Sequence, residues 1–589
     1  MRLHLRLRAR RVRALLPVAI VCGCVLAVFL PALFGDYVAD DLYLLFYSPG
    51  FTGISGLWDA IRAPFWGTEA SLWRPLSSAT LCVGHALGGG EPWVTHTFAL
   101  LAHLGSTILA YAILRNFAVA APRAAVAVAV FALHPCQVEG VAWAAAIADP
   151  LAGCAMLLAL WSWVHWRKQA SASLPWLAWV GFALALASKE TGAATLLWIA
   201  AAEVALHGRA VRRNRTVGFA GLGAVLALWL LARAMVFGDL GCGFDRGLLL
   251  DERVRGGQGL LMRGYLAAAL ACTPTGWLGL TPNRWVPPDV AGLAYGLVAL
   301  LPLLACGVAC VWSAWRARSD LACLGCAGVL AGLAGPVLGI TNVGHWPIAD
   351  RYLYGALFGF AILLVASGPC RMPLALALAS TCAVVSSRLV PLWRSPDAIA
   401  ARAMADCPQH PEAHYLRGQI ERRNALVAVR HGHDRARRRT HYEHALAAYR
   451  RAAALVEQPV YGGADLRRVL GLNSRLGAAL VAVAGRLRPL PEVVSELEAL
   501  AERVPNSGQV QLVLGVAHAA WGDERGAERA WLRALALDPG SREAAFNLAR
   551  SQAWRVAGTH GDGGERKATG AINPERARAG HAGVGCQRR

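Results

Sequence analysis

The residues of this chain that could do chemistry are carboxylates and cations set at the edges of long apolar runs. Asp40 and Asp41 stand side by side in DYVADDLYLL, just after the apolar stretch Ala14–Phe34. A carboxylate at a membrane face can act as general base, taking the proton of an acceptor hydroxyl as it attacks a sugar. Two adjacent acids also raise one another's pKa. Read alone, the pair serves equally well as an ordinary acidic flank to a span. Trp73-Arg74-Pro75-Leu76 offers Arg74 as a phosphate or carboxylate ligand. His96 and His103, seven apart, share a helical face, as core histidines with a hydrogen-bond partner also do. ALHPCQVEGVAW carries His134 and Glu139, and Asp149 opens the next apolar run, where it also reads as a plain helix start. Lys189 and Glu190 lie between two apolar runs, and GHWPIADRYLYG holds His345, Asp350 and Arg351. These cations suit the phosphate of a lipid-linked donor, while snorkelling flanks and internal ion pairs would use the same residues. Charge within an apolar protein is a functional hypothesis by default. The joint occurrence of the clusters carries it here.

The elements that must position these groups are membrane helices. Of 589 residues 56 % are apolar and 16 % charged, and the two kinds are segregated. Apolar runs recur up to Trp393 and stop after Arg394. Each is long enough to cross about 30 Å of hydrocarbon as a helix. Spans are expected at 14–34, 94–115, 122–138, 147–166, 173–188, 190–207, 217–237, 291–312, 320–341, 352–368 and 372–392, with outer loops at 35–93 and 238–290. The segment 254–272 is better placed as an interfacial helix, because Arg263 at the bilayer centre would cost about 2.5–3.5 kcal/mol. With the N-terminus in the cytoplasm, Arg and Lys gather in the inner turns, as the positive-inside rule demands. The basic start MRLHLRLRARRVR then belongs to a signal anchor, a cleaved signal peptide being the other reading. Much of the net charge of +21 is accounted for in this way, and no nucleic-acid partner is expected. An odd number of crossings puts the C-terminal part outside, in an inner-membrane protein facing the periplasm.

Cys323 and Cys326 form a CxxC in an apolar helix without a second ligand pair, so small core residues are expected there and no metal site. Cys242 and Cys272 share an outer loop and could bridge. The segment 508–541 follows the tetratricopeptide (TPR) pattern, with Leu514 and Gly515 at positions 7 and 8, Ala527 at 20, Trp531 at 24, Ala534 at 27 and Pro539 at 32. A second unit runs from Pro411 through Gly418 to Ala445, Tyr449 and Ala452, its inter-helix connection lengthened by a basic insert, Arg422 to Arg439. A looser one lies between, with Leu470, Gly471 and Pro505. The fold class is therefore all-α: a multi-pass transmembrane bundle of about eleven spans over 1–393, then a TPR-type α-solenoid over 394–555. A disordered basic tail is expected over 556–589.

With these pieces in order, the sequence resembles the GT-C membrane glycosyltransferases, and among them the transmembrane-and-TPR O-mannosyltransferase-like proteins and their bacterial relatives. The double acid Asp40–Asp41, Trp73–Leu76, Thr95–His103, Ala132–Trp143, Ser188–Gly192 and Ala349–Tyr354 occur in family order. The chain departs at Phe98–Ala99, where the family has Asn, and at Ile147, where it commonly has Arg. The resemblance implies a polyprenyl- or dolichyl-phosphate sugar as donor, with no further cofactor, and Asp40 or Asp41 as the base of an inverting displacement. Arg351, Lys189 and Arg74 would meet the leaving phosphate, with His96, His134, Glu139, Asp149, Glu190 and His345 also lining the substrate site. The donor would be a sugar, mannose among the candidates, carried on a membrane lipid, and the TPR units would present a protein or other acceptor. A catalytically dead TPR scaffold and a lipid-linked-sugar flippase are the other readings.

Overall fold

The computed structural model describes residues 2–41, 44, 56–65, 72–169, 173–206, 215–239, 312, 320–338, 350–366, 372–406, 408–430, 435–457, 464–539 and 541–558. Every regular element among them is a helix, and no strand occurs there. The chain divides into two compact units, Met1–Ile399 and Ala400–Arg589.

Among the described residues of the first unit, five helices are long and apolar enough to cross a membrane: Leu15–Phe34, Trp93–Asn116, Ala144–Lys168, Arg215–Phe237 and Met372–Arg394. Their outward faces are apolar, as in a helix solvated by lipid. On Arg215–Phe237, Leu228, Leu231 and Met235 are 58–71 % exposed while Arg233 is fully buried. That inversion of the usual polarity is what a protein dissolved in hydrocarbon shows.

The expected spans are not all realised as single long helices among the described residues. The run 122–138 is bent: Ala121–Ala132 and Cys136–Ala142 meet at 68° and count as a sixth span only if taken together. Pro135 stands in the break, without an amide hydrogen to continue the ladder. The expected span 173–188 is the 13-residue helix Trp176–Ser188. In place of 190–207 a 3-10 turn, Glu190–Ala194, leads into the 11-residue helix Thr195–Ala205. The span placed at 352–368 is the 13-residue helix Tyr354–Ala366. Asp320–Leu338 is helical as expected. The span 291–312 (Trp312 apart), the segment 254–272, nearly all of the loop 238–290, Cys242, Cys272 and the tail from 559 lie outside the described residues. Cys323 and Cys326 are free, and no metal-binding cluster occurs among the described residues.

In the second unit successive helices run antiparallel. Gly515 on Gly508–Trp521 faces Trp531 on Glu524–Leu537, and a Cβ at that glycine would strike the indole. Gly508 lies opposite Ala534 and Asp538, so the register runs in reverse. Ser507 and Asp523 cap the two helices, accepting from the amides of Val510 and Gly526. Gly522 closes the first of them at a φ of +93°, a conformation that favours glycine. Trp531 is fully buried. Trp531→Ala should cost about 3–5 kcal/mol and appear as faster hydrogen exchange across both helices, with exchange in Trp93–Asn116 unchanged.

Candidate active site

Asp40 and Asp41 follow a 3-10 turn, Leu30–Phe34, that ends the first span. The pair divides its labour. Asp41 is fully buried, and both its carboxylate oxygens accept backbone amides: Oδ2 from Val38 at 3.0 Å and Oδ1 from Ala145 at 2.5 Å. Trp143 adds an indole N–H to the Val38 carbonyl at 3.2 Å. Asp41 thus fastens the loop to the start of the Ala144–Lys168 span and has no free edge for a substrate. Burial raises its pKa well above the ordinary value, against the backbone amides that favour its charge. Asp40 is half-buried and sits after Ala39, whose φ of +47° places an alanine in the left-handed region. Such strain costs about 1–3 kcal/mol and gathers at functional sites. Burial pushes the Asp40 carboxyl up to about 6, with Arg351 drawing it down and Glu139 pushing it up.

Around Asp40 the cations are held by carboxylates from distant parts of the chain. Glu139 stands on the short helix Cys136–Ala142, folded inward at Pro135, and accepts both the side chain and, at 3.0 Å, the backbone amide of Arg351. The Arg351 guanidinium also lies 5.0 Å from the ring centres of Trp143 and Tyr352. Asp149 takes the Lys189 ammonium at 2.5 Å, and that ammonium lies 5.2 Å from the Tyr352 ring centre. Lys189 is extended, ending the helix before it, and Glu190 opens the 3-10 turn. Gly192 makes this sharp reversal possible, since a Cβ there would strike the Ala185 backbone.

Glu190 answers two arginines. Its Oε2 meets Arg74 Nε at 2.9 Å, and its Oε1 meets Arg233 at 3.4 Å and the Trp73 amide at 3.2 Å. Arg74 is fixed because Pro75 starts a helix directly after it, a position suited to proline. Lys189 feels the charges of Asp149, Arg74 and Arg351, so the ion pairs centred on Asp149, Glu190 and Glu139 form one electrostatic field.

Apart from Asp41, whose oxygens accept backbone amides, the sequence-predicted residues therefore fall into three groups. Asp40, Arg74, Glu139, Asp149, Lys189, Glu190 and Arg351 are brought together. His96 and His134 are buried: His134 accepts the Cys136 amide at 3.2 Å within its own turn, and among the described residues neither ring nitrogen of His96 has a hydrogen-bond partner. The ALHPCQVEGVAW segment is a buried bend. His345 lies outside the described residues. His103, seven residues from His96, bonds the Tyr354 hydroxyl at 2.6 Å and the Ala132 carbonyl at 2.9 Å, the core role open to it. Sequence reasoning passed over Arg233, although a lone arginine inside an apolar span was the signal that could have found it.

No family model matches the chain, and no solved structure matches it. Two curated Drosophila melanogaster proteins are similar over part of its length. Protein O-mannosyl-transferase Tmtc2 is 28 % identical over 208 residues, which is 33 % of this chain and 22 % of that protein. Protein O-mannosyl-transferase Tmtc1 is 29 % identical over 147 residues, 23 % of this chain and 17 % of that protein. The match thus spans about a fifth of each relative's length. The chain is a membrane-integral protein distantly similar to proteins named as O-mannosyl-transferases.

Proposed function

We propose that this protein is a membrane glycosyltransferase of the GT-C kind that moves a sugar, mannose first among candidates, from a polyprenyl-phosphate donor to a hydroxyl of a protein or other acceptor. The observation that carries the reading is Asp40: a half-buried carboxylate with its pKa pushed up to about 6, beside Arg351, in a site that holds four cations. An ionised carboxylate whose pKa lies just below neutrality is suited to general-base work.

Asp40 accepts the proton of the acceptor hydroxyl as its oxygen bonds to the anomeric carbon. The bond from that carbon to the phosphate oxygen breaks on the opposite face, with inversion, and the electron pair leaves with the lipid phosphate. A phosphate leaves without needing a proton, so no second acid is required, unlike the two-carboxylate arrangement of glycoside hydrolases. Developing charge on the phosphate is met by Arg74, Lys189 and Arg351. Glu190 supports the Arg74 end best for this role, since one carboxylate there answers two guanidiniums. On this reading the N-terminus is cytoplasmic, Asp40 faces the outer leaflet, and the helical pairs after Ala400 act as extracytoplasmic TPR units that present the acceptor.

The full chain in proteoliposomes, given polyprenyl-phosphate mannose and a mixture of secreted acceptor proteins, should add a hexose that mass spectrometry detects. GDP-mannose in place of the lipid donor should give none. Lipid translocation without a covalent product would replace the enzyme by a flippase, and no product with either donor would favour a scaffold.

A further inference from the structure

His103 stands on the span Trp93–Asn116 and Tyr354 opens the helix Tyr354–Ala366, and both are buried. His103 Nε2 lies 2.9 Å from the Ala132 carbonyl, and its Nδ1 lies 2.6 Å from the Tyr354 hydroxyl. A carbonyl only accepts, so in the neutral imidazole Nε2 holds the ring proton and Nδ1 must accept. The Tyr354 hydroxyl therefore donates to Nδ1. Its oxygen also lies 3.2 Å from Ser106 Oγ, whose own hydrogen goes to the Ala102 carbonyl at 3.0 Å. One ring thus links Ala132 to Tyr354, and every donor in the link has an acceptor.

Both ends of the link lead to the charged site. Ala132 is the last residue of Ala121–Ala132, just before the Pro135 bend that brings Glu139 to Arg351. Tyr354 directly follows the 3-10 turn Asp350–Leu353, which carries Arg351. The Tyr354 ring is set where these elements meet. A Cβ on Gly153 would strike it, and Gly153 lies one helical turn after Asp149 on the same span. A Cβ on Gly140, the neighbour of Glu139, would meet the ring at 3.6 Å and the Asp149 Cβ at 3.7 Å. The ring stands edge-on to His103 and Phe131, with centres 5.6 and 5.8 Å apart. Interiors packed this closely leave such a ring little room to shift. Phenylalanine would fill the same space; what the hydroxyl adds is the link to His103.

We propose that His103 and Tyr354 are positioning residues for sugar transfer: one buried imidazole fixes the Glu139 bend and the Arg351 turn against each other, and so holds the guanidinium beside Asp40. The inference deepens the transferase reading and rests on it for its effect on rate. Neither residue touches the reacting atoms. They act through the Glu139–Arg351 pair, whose two members come from parts of the chain 212 residues apart and need a common reference to stay in line. A small misplacement of groups around a reacting centre costs rate even when its cause lies outside the site.

Tyr354→Phe in the full chain tests it, because it keeps the ring and removes only the donor to Nδ1. Amide exchange over 350–354, where the Arg351 amide donates to Glu139 at 3.0 Å, should become about tenfold faster, the worth of one hydrogen bond. The kcat for transfer should fall about tenfold. The acid limb of the rate profile should move to higher pH, since Arg351 acts on the Asp40 carboxyl more strongly than Glu139 does. A tyrosine that only stabilised the bundle would lower the thermal midpoint and leave that limb in place. Exchange and limb both unchanged would overturn the proposal while the transferase reading stood. So would faster exchange with an unmoved limb, which would make the link structural alone. Should the wild type transfer no sugar, it is the transferase reading that fails, and exchange at 350–354 then decides the link by itself.

Discussion

Replacing Asp40 by Asn is expected to lower sugar transfer by about 10²–10⁴-fold while leaving the thermal midpoint unchanged or slightly raised. The two halves of that outcome have one cause. A carboxyl whose pKa is pushed up to about 6 by burial is a group whose charge the fold disfavours at neutral pH. Asn removes the charge, and with it the base, but preserves the size and the hydrogen-bonding edge. Asp41→Asn should behave in the opposite way. Its amide group has one accepting oxygen in place of two, so either the Val38 or the Ala145 amide loses its acceptor, at a cost of about 1–3 kcal/mol for a buried donor left unsatisfied. The chain should then lose stability, with transfer falling only as the folded fraction falls. A transfer assay and a melting curve on both variants decide the assignment. Full activity in Asp40→Asn would remove the general base from the mechanism.

The same carboxyl sets the pH profile. A base must be ionised, so transfer should decline below about pH 6 and approach a tenfold loss per unit further down. Stability runs the other way. The folded pKa lies above the reference value of 3.8, so the folded state holds its proton more tightly than the unfolded chain. The contribution of Asp40 to stability is fully present below the unfolded value and is lost as pH rises through about 6. In Asp40→Asn both dependences should disappear together.

The distribution of these residues explains what could be read in advance. Period and length made the long helices legible, because Leu15–Phe34 or Arg215–Phe237 need only enough apolar residues in a row. The shorter elements were over-extended. An apolar run such as 190–207 looks the same whether it crosses as one helix or turns at Gly192 into a 3-10 segment. What separates the two is packing against Ala185, which is a tertiary fact. The bend at Pro135 was written in the sequence, but its direction, which brings Glu139 to Arg351, was not. The charged residues were legible one by one because lipid makes each of them costly. Their partners were not legible: Glu190 is next to Lys189 in the chain yet pairs with Arg74 and Arg233, while Lys189 pairs with Asp149. Equally, no rule of spacing could say which of two adjacent aspartates would be spent on backbone amides and which would stay half-buried within the field of Arg351 and Glu139.

Arg351→Gln should be the most damaging change at the site, and its partner shows why. Glu139 is buried and bonds the Arg351 side chain and amide. Removing the guanidinium strands a carboxylate in a site closed by Trp143 and Tyr352, at a cost of about 3–5 kcal/mol. Loss of transfer in that variant alone would be ambiguous, since misfolding would explain it. The double replacement Arg351→Met with Glu139→Gln resolves this, because it removes both charges and should recover most of the lost stability. Transfer should stay low in the double variant, as the cation beside Asp40 and the leaving phosphate is still missing. Glu139→Gln alone supplies the sign. Glu139 pushes the Asp40 carboxyl up and Arg351 draws it down. Neutralising Glu139 should therefore move the acid limb of the rate profile to lower pH. Where Arg351→Gln folds well enough to assay, it should move that limb to higher pH. An acid limb that stays in place in both variants would mean that the titrating group in transfer is not Asp40, and that Arg351 and Glu139 serve only to brace the helices they join.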